Sequence, residues 1–242
     1  MALTPWWEAA FGEDYLAVYA HRDDAQGAAE IAGLLPHLRG PVLDAGCGGG
    51  RHLAALRAAG LPAVGFDLSQ PLLESARQRP AVRGRVARGD LRVPPMADGA
   101  FSSVLVLFTA FGYFDDDANA ATLTNLGRLL TADGILVLDL PDAARVRQTL
   151  VPHSQRTTST GIVITEERSL TPTRVEKQVT LRHPDGRERS YRESVRLYED
   201  DALPDVAASA GLRVQKYWPS LRGPEFNDGR RVWWLTTAAA TE

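Results

Sequence analysis

Residues 42–50 read Val-Leu-Asp-Ala-Gly-Cys-Gly-Gly-Gly. An apolar pair runs into Asp44, and glycines then recur at alternate positions, Gly46, Gly48 and Gly50. A short buried strand that passes through a glycine turn into a helix builds a nucleotide-binding crevice. Glycines there let the backbone approach a ligand that any side chain would push away. The spacing separates ligands. A dinucleotide fingerprint, G-x-G-x-x-G, begun at Gly46 and Gly48 needs its third glycine at 51, and that position is Arg51. The pattern is Asp-x-Gly-x-Gly-x-Gly instead.

Period and punctuation extend this turn into a fold. Residues 5–20 and 23–38 read as two helices ahead of the first strand, the second with Ala28, Ile31, Leu34, Leu35 and Leu38 at helical spacing. Strands are expected near 41–45, 63–67, 83–88, 103–108 and 134–140. Helices are expected over 50–59, over 70–78 behind a Ser69 cap with Pro71 in its first turn, and from Asp116 or Asp117 to Leu130. The fourth strand, Ser103 to Phe108, is nearly all apolar, as a strand covered on both faces should be. This alternation predicts a doubly wound, mostly parallel α/β sheet.

Residues 155–198 break the rhythm. Ile162-Val163-Ile164, Val175 to Leu181 and Tyr191 to Tyr198 alternate, and Asp185-Gly186 signals a hairpin. A three-stranded antiparallel insertion is expected, with Arg174, Lys177, Arg192 and Arg196 suggesting a solvated face. A helix at 200–210, a strand near 212–218 and a last strand near 230–238 then complete the chain.

At residues 44–50 the chain resembles the class I S-adenosylmethionine-dependent methyltransferases. The likeness continues in order through Val64 to Ser69, Gly89-Asp90-Leu91, residues 102–114 and Gly134 to Asp139. It implies a Rossmann-like sheet whose last strand is antiparallel, and S-adenosylmethionine as cofactor. It also implies a set of contacts. Gly46, Gly48 and Gly50, with Ala45, would face the methionine end, and a half-buried Asp44 its ammonium. Asp67, with Leu68 beside it, would accept the ribose hydroxyls. Asp90 would meet the adenine amino group, flanked by Gly89 and by Leu91 as wall and N–H donor. Phe108 begins the aromatic segment Phe108-Thr109-Ala110-Phe111-Gly112-Tyr113-Phe114, whose rings suit a sulfonium cation. In relatives the N-terminal helices often fold over the cofactor. Residues 1–38 are therefore expected to form a lid, with Arg22 near the carboxylate and Tyr15, Tyr19, His21 and Tyr113 as the catalytic shortlist.

Composition bounds the rest. The chain has 242 residues, net charge −3, 44% hydrophobic residues and one cysteine, Cys47. One domain over 1–242 with room for the insertion fits that length. No apolar run is long enough for a membrane span. The start of the chain lacks the pattern of a secretory signal, and a lone cysteine makes no internal disulfide. A reducing cytoplasm is the expected setting. The charge gives no field favouring nucleic acid, and no Asp-Pro-Pro-Tyr-like sequence follows strand four, unlike the DNA amino-methylating enzymes of the superfamily. Asp115, Asp116 and Asp117 read as a helix start rather than a metal site, and the histidines lack ligand spacing. The expected activity is methyl transfer to a nitrogen or oxygen of a small molecule, in a possible homodimer. Open beside it stand a nicotinamide-dependent oxidoreductase, an aminopropyl-type transferase and a non-catalytic S-adenosylmethionine-binding protein.

Overall fold

A computed structural model describes residues 5–19 and 22–238. Two short helices come first, α1 (Trp6–Ala10) and α2 (Tyr15–Val18), where one longer helix was expected. The intervening segment contains Gly12, a residue that weakens helix interiors. Helix α3 (Asp24–Leu34) starts at Asp23, whose side chain accepts the Gln26 N–H, and gives way to a 3-10 turn, Leu35–His37, containing Pro36.

The strand–helix series follows. It comprises β1 (Val42–Ala45), α4 (Arg51–Ala58), β2 (Ala63–Asp67), α5 (Gln70–Gln78), β3 (Val86–Arg88), β4 (Phe101–Val106), α6 (Asp116–Arg128) and β5 (Leu130–Pro141). Ser69 caps α5 by accepting the Leu72 N–H, and Asp115 caps α6 by accepting the Ala118 N–H. Strand β4 ends two residues before the predicted limit, which leaves Leu107 and Phe108 in the loop. Helix α7 (Ala143–Thr149), not anticipated, begins at Asp142, which accepts the Arg145 N–H. After the insertion come α8 (Ala202–Ser209), β10 (Leu212–Trp218) and β11 (Arg230–Thr237).

The main sheet has seven strands in the order β10-β11-β5-β4-β1-β2-β3. Only β11 runs against the rest, pairing antiparallel with both β5 and β10. The order reverses between β1 and β4, so the loops leaving those two strands open a crevice at the sheet's carboxyl edge. Helices α3, α4 and α5 pack one face through Ile31, Leu34, Leu53, Leu56 and Ala76. Helices α6 and α8 pack the other through Leu123, Leu126, Leu203 and Ala207. Val104, Leu105 and Val106 of β4 are buried from both sides.

The insertion is a separate antiparallel sheet of four strands, one more than expected: β6 (His153–Thr157), β7 (Val163–Leu170), β8 (Arg174–Arg182) and β9 (Glu188–Arg196). Strand β6, His-Ser-Gln-Arg-Thr, has no apolar residue to announce it, and takes its register from β7. Its inner face, Ile164, Val179, Leu181 and Tyr191, forms a third core with Ala10 and Val18 of the N-terminal helices. The opposite face is polar, and by register Arg174, Arg192 and Arg196 all lie on it; Arg192, paired with Glu176, is exposed, while Arg174 and Arg196 are half-buried. Lys177 points inward, and Arg174 donates to the backbone carbonyls of Gly112, Tyr113 and Phe114. Among the described residues no helix is long and apolar enough to cross a membrane.

Candidate functional site

The glycine turn after β1 is left-handed at Gly46 (φ 77°) and Gly48 (φ 51°), a conformation that L side chains avoid. A Cβ on Gly46 would lie 3.0 Å from the Ala110 Cβ, so the turn also sits tight against the loop after β4. Gly50 serves a different contact. A Cβ there would meet Ala76 and Val82, on the side of α5 rather than of the crevice.

Above this turn lies a cavity lined by Gly46, Gly48, Asp67, Leu68, Gly89, Asp90, Leu91 and Phe108. These residues, spread along the chain from Gly46 to Phe108, come together because β1, β2, β3 and β4 all end at one edge. Tyr15 and Tyr113 line it as well. Phe66 and Leu72 complete the lower wall, and Trp7 and Phe11 close the top. Asp67 accepts the Gly48 N–H on one carboxylate oxygen and the Ser69 N–H on the other, both at 2.8 Å. Burial pushes its carboxyl above the ordinary value, and those amides oppose the rise. Asp90 is engaged by Arg92, whose guanidinium lies 2.6 Å from its Oδ2, and this holds the carboxyl below the usual range.

Asp44 and Ala45 lie beneath the turn rather than in the cavity wall. Asp44 is not half-buried but 1% exposed, and its Oδ2 has no hydrogen-bond partner among the described residues. Desolvation raises its carboxyl to about 6, with His52 and Arg51 easing the rise.

A second cavity adjoins the first. Its walls include Trp6, Tyr19, Arg22, Lys177, Glu193 and Arg230, and it shares Phe11, Tyr15, Phe108 and Tyr113 with its neighbour. Burial pushes the Tyr15 phenol to about 12 and the Tyr113 phenol well up. Lys177 lies 2.7 Å from Glu193, 3.5 Å from Glu166 and 3.1 Å from the Tyr19 hydroxyl. Desolvation opposes its charge, but the two carboxylates outweigh that and raise its pKa. His21 lies outside the described residues.

The loop between the two cavities is strained. Phe108 (φ 60°) and Thr109 (φ 63°) are both left-handed without being glycine, a cost of roughly 1–3 kcal/mol each. Asp139 of β5, fully buried, holds the pair in place. Its Oδ2 accepts the Phe108 N–H at 2.7 Å and its backbone oxygen accepts the Thr109 N–H at 3.0 Å. Arg230 binds Asp139 Oδ1 at 2.7 Å and the Thr109 hydroxyl at 2.9 Å. The guanidinium of Arg22 stacks on the Phe108 ring, 3.8 Å from its centroid. Phe111 faces away, stacked on Tyr198 in the core.

Several of these residues escaped the sequence reading. Asp139 left a trace, since an acid inside the apolar run Leu136-Val137-Leu138 demands a buried partner. Trp7, Phe11, Lys177 and Glu193 left none, because packing of the N-terminal helices on the insertion brings them in.

Comparisons with known proteins agree with this architecture. Residues 42–134 match the family described as a methyltransferase domain. The methyltransferase-named protein YqeM of Bacillus subtilis is 26% identical over 141 residues, a stretch that spans 57% of each chain. Among solved structures, the CcbJ methyltransferase from Streptomyces caelestis superposes with a TM-score of 0.78 at 20% identity, covering 95% of this chain and 98% of that one. The sugar N-methyltransferase KedS8 from a Streptoalloteichus species does so with a TM-score of 0.71 at 21% identity, covering 98% of both. A methyltransferase-domain match across the glycine turn and its neighbouring strands is thus set in a fold that solved methyltransferases share over nearly the whole chain.

Proposed function

We propose that the protein transfers a methyl group from S-adenosylmethionine to a nitrogen or oxygen of a small molecule held in the second cavity. The observation that carries this reading is the shared wall. Phe11, Tyr15, Phe108 and Tyr113 line both cavities, so a donor in one and an acceptor in the other would meet there. The residues present fit the cofactor. Side chains are excluded at Gly46 and Gly48, where it would come close, and the unpartnered Asp44 Oδ2 suits its ammonium. Asp67 keeps lone pairs for two ribose hydroxyls, and Gly89, Asp90 and Leu91 would border the adenine.

The bound cofactor supplies an already activated methyl group. The chain's part is therefore alignment and exclusion of water, which the aromatic walls and the N-terminal roof provide. Burial makes the two phenols at the shared wall poorer proton acceptors. Both phenols stay protonated, and Lys177 stays charged against Glu193. That favours an amine attacking in its neutral form over a hydroxyl that must first lose a proton. The likeness in fold to a sugar N-methyltransferase supports the same choice.

Calorimetry on the folded protein with S-adenosylmethionine, its demethylated product and NAD tests the first half. The two sulfur compounds should bind and NAD should not; absence of binding by both sulfur compounds overturns the reading. Matched amino and hydroxy acceptors, followed by mass, test the second half. Methylation of the hydroxy compound alone would overturn the choice of nitrogen.

A further inference from the structure

Among the described residues that line the second cavity, Glu193 is the one carboxylate. It stands on β9 and lies directly opposite Lys177 of β8 in register, so the pairing of two strands fixes where it sits. Its Oε2 is 2.7 Å from Lys177 Nζ, and its Oε1 has no hydrogen-bond partner among the described residues. Lys177 is also 3.5 Å from Glu166, and Glu166 in turn takes the Arg168 guanidinium. Arg168, Lys177, Glu166 and Glu193 therefore balance in charge, and one carboxylate oxygen is left over at the cavity. That carboxylate is felt at the wall shared by the two cavities. Burial raises the Tyr15 and Tyr113 phenols first, and the Glu193 charge adds to the rise in both. The cavity's other charged walls, Arg22, Lys177 and Arg230, are cations.

The chemistry of methyl transfer gives such an oxygen a use. The lone pair of an acceptor nitrogen forms the new N–C bond, the electrons of the C–S bond leave with sulfur, and no proton moves in the step. Positive charge thus crosses the shared wall, from sulfur in the first cavity to nitrogen in the second. A group that favours the charge at nitrogen over the charge at sulfur lowers the barrier. Glu193 is the one anion so placed among the described lining residues. A neutral amine that donates an N–H to Oε1 keeps its lone pair for the methyl carbon. The same bond strengthens as the nitrogen becomes cationic.

We propose that Glu193 is a catalytic residue, whose Oε1 binds an N–H of the acceptor amine and stabilises the charge that develops on its nitrogen, while Lys177 holds the other oxygen. The acceptor is then a primary or secondary amine. This rests on the methyltransferase reading above. The test uses S-adenosylhomocysteine and two analogues in which its sulfur is replaced by a nitrogen carrying a propyl or a 2-aminoethyl arm. The arms match in size, and the second ends in an ammonium that imitates the charged product. In calorimetry wild type should bind the aminoethyl analogue about tenfold or more tighter than the propyl analogue, as for a charge-assisted bond. Glu193→Gln should bring the two within about twofold and leave S-adenosylhomocysteine within about twofold of wild type. Glu166 remains beside Lys177 in that variant, so the lysine is not stranded. If it does not fold, Glu193→Gln combined with Lys177→Met removes both charges and should show the same selective loss. Equal affinity for the two arms in wild type, or a preference that survives the loss of Glu193, overturns the assignment. So does an equal weakening of all three ligands, which would make Glu193 a brace for the roof. A wild-type protein that binds none of the three would instead remove the underlying methyltransferase reading.

Discussion

The Asp67 carboxylate receives one backbone N–H on each oxygen, from Gly48 and from Ser69. Those bonds fasten the end of β2 to the glycine turn and to the start of α5. Sequence spacing points to the ribose as its partner; the structure adds two partners that exist without any ligand. Asp67→Ala should therefore cost stability as well as affinity. Two half-buried amides lose their acceptor, worth about 1 kcal/mol or more in denaturant unfolding, and cofactor binding should weaken by about 2 kcal/mol or more in calorimetry. Asp44 behaves differently, since burial raises its carboxyl to about 6 from an ordinary 3.8. The folded protein holds that proton more tightly than the unfolded chain does. The stability tied to Asp44 is therefore present at low pH and lost as pH rises from about 4 through about 6. An ammonium ligand needs the ionised form, so cofactor affinity should rise over the same interval. Unfolding curves taken from pH 4.5 to 7.5 should show this slope in wild type and lack it in Asp44→Asn.

Strands and helices with a strong pattern are legible in the sequence. The glycine turn, the apolar fourth strand, the Ser69 cap and the Asp185-Gly186 hairpin lie where local chemistry puts them. The reversed last strand came from resemblance, and the pairing of β11 with β5 and β10 bears it out. Local pattern failed where distant packing decides. Strand β6 is polar throughout and exists because β7 offers it an edge. Lys177 looks like a surface cation in sequence, yet Glu166, Glu193 and Tyr19 draw it inward. Of the candidate site, the turn and the strand-tip residues around the first cavity were readable because each ends a predicted strand. The roof residues Trp7 and Phe11 and the Lys177–Glu193 pair were not, because no local rule places α1 against β9. The Phe108-Thr109 strain was equally hidden, since the Asp139 and Arg230 that sustain it come from β5 and β11.

Among the described residues three cores hold the protein together, and the third lies apart from the main sheet. It joins the N-terminal helices to the insertion, so the roof of the first cavity rests on a sheet that is remote in sequence. Arg189 of β9 grips the Ala9 carbonyl and Asp14, and Arg156 of β6 donates to the Val18 carbonyl at 2.8 Å. The other side of the roof touches the cofactor half directly. The Ser69 hydroxyl donates to the Phe11 carbonyl at 2.6 Å, and the Trp6 and Tyr113 rings meet at 4.8 Å between centroids. Roof, insertion and first cavity should therefore tighten as one unit when the cofactor's adenosine fills the cavity under Trp7 and Phe11. The expected signature is slower amide exchange on adding S-adenosylhomocysteine, in residues 5–19 and also in β7, β8 and β9, which border no part of the first cavity. At a ligand concentration of about 100 times Kd the added stability should be about 2.7 kcal/mol. For a chain of this length that is a rise in Tm of roughly 5–10 °C. A protein whose roof merely drapes over the site would show slowing in 5–19 alone, with exchange in the insertion strands the same with and without ligand.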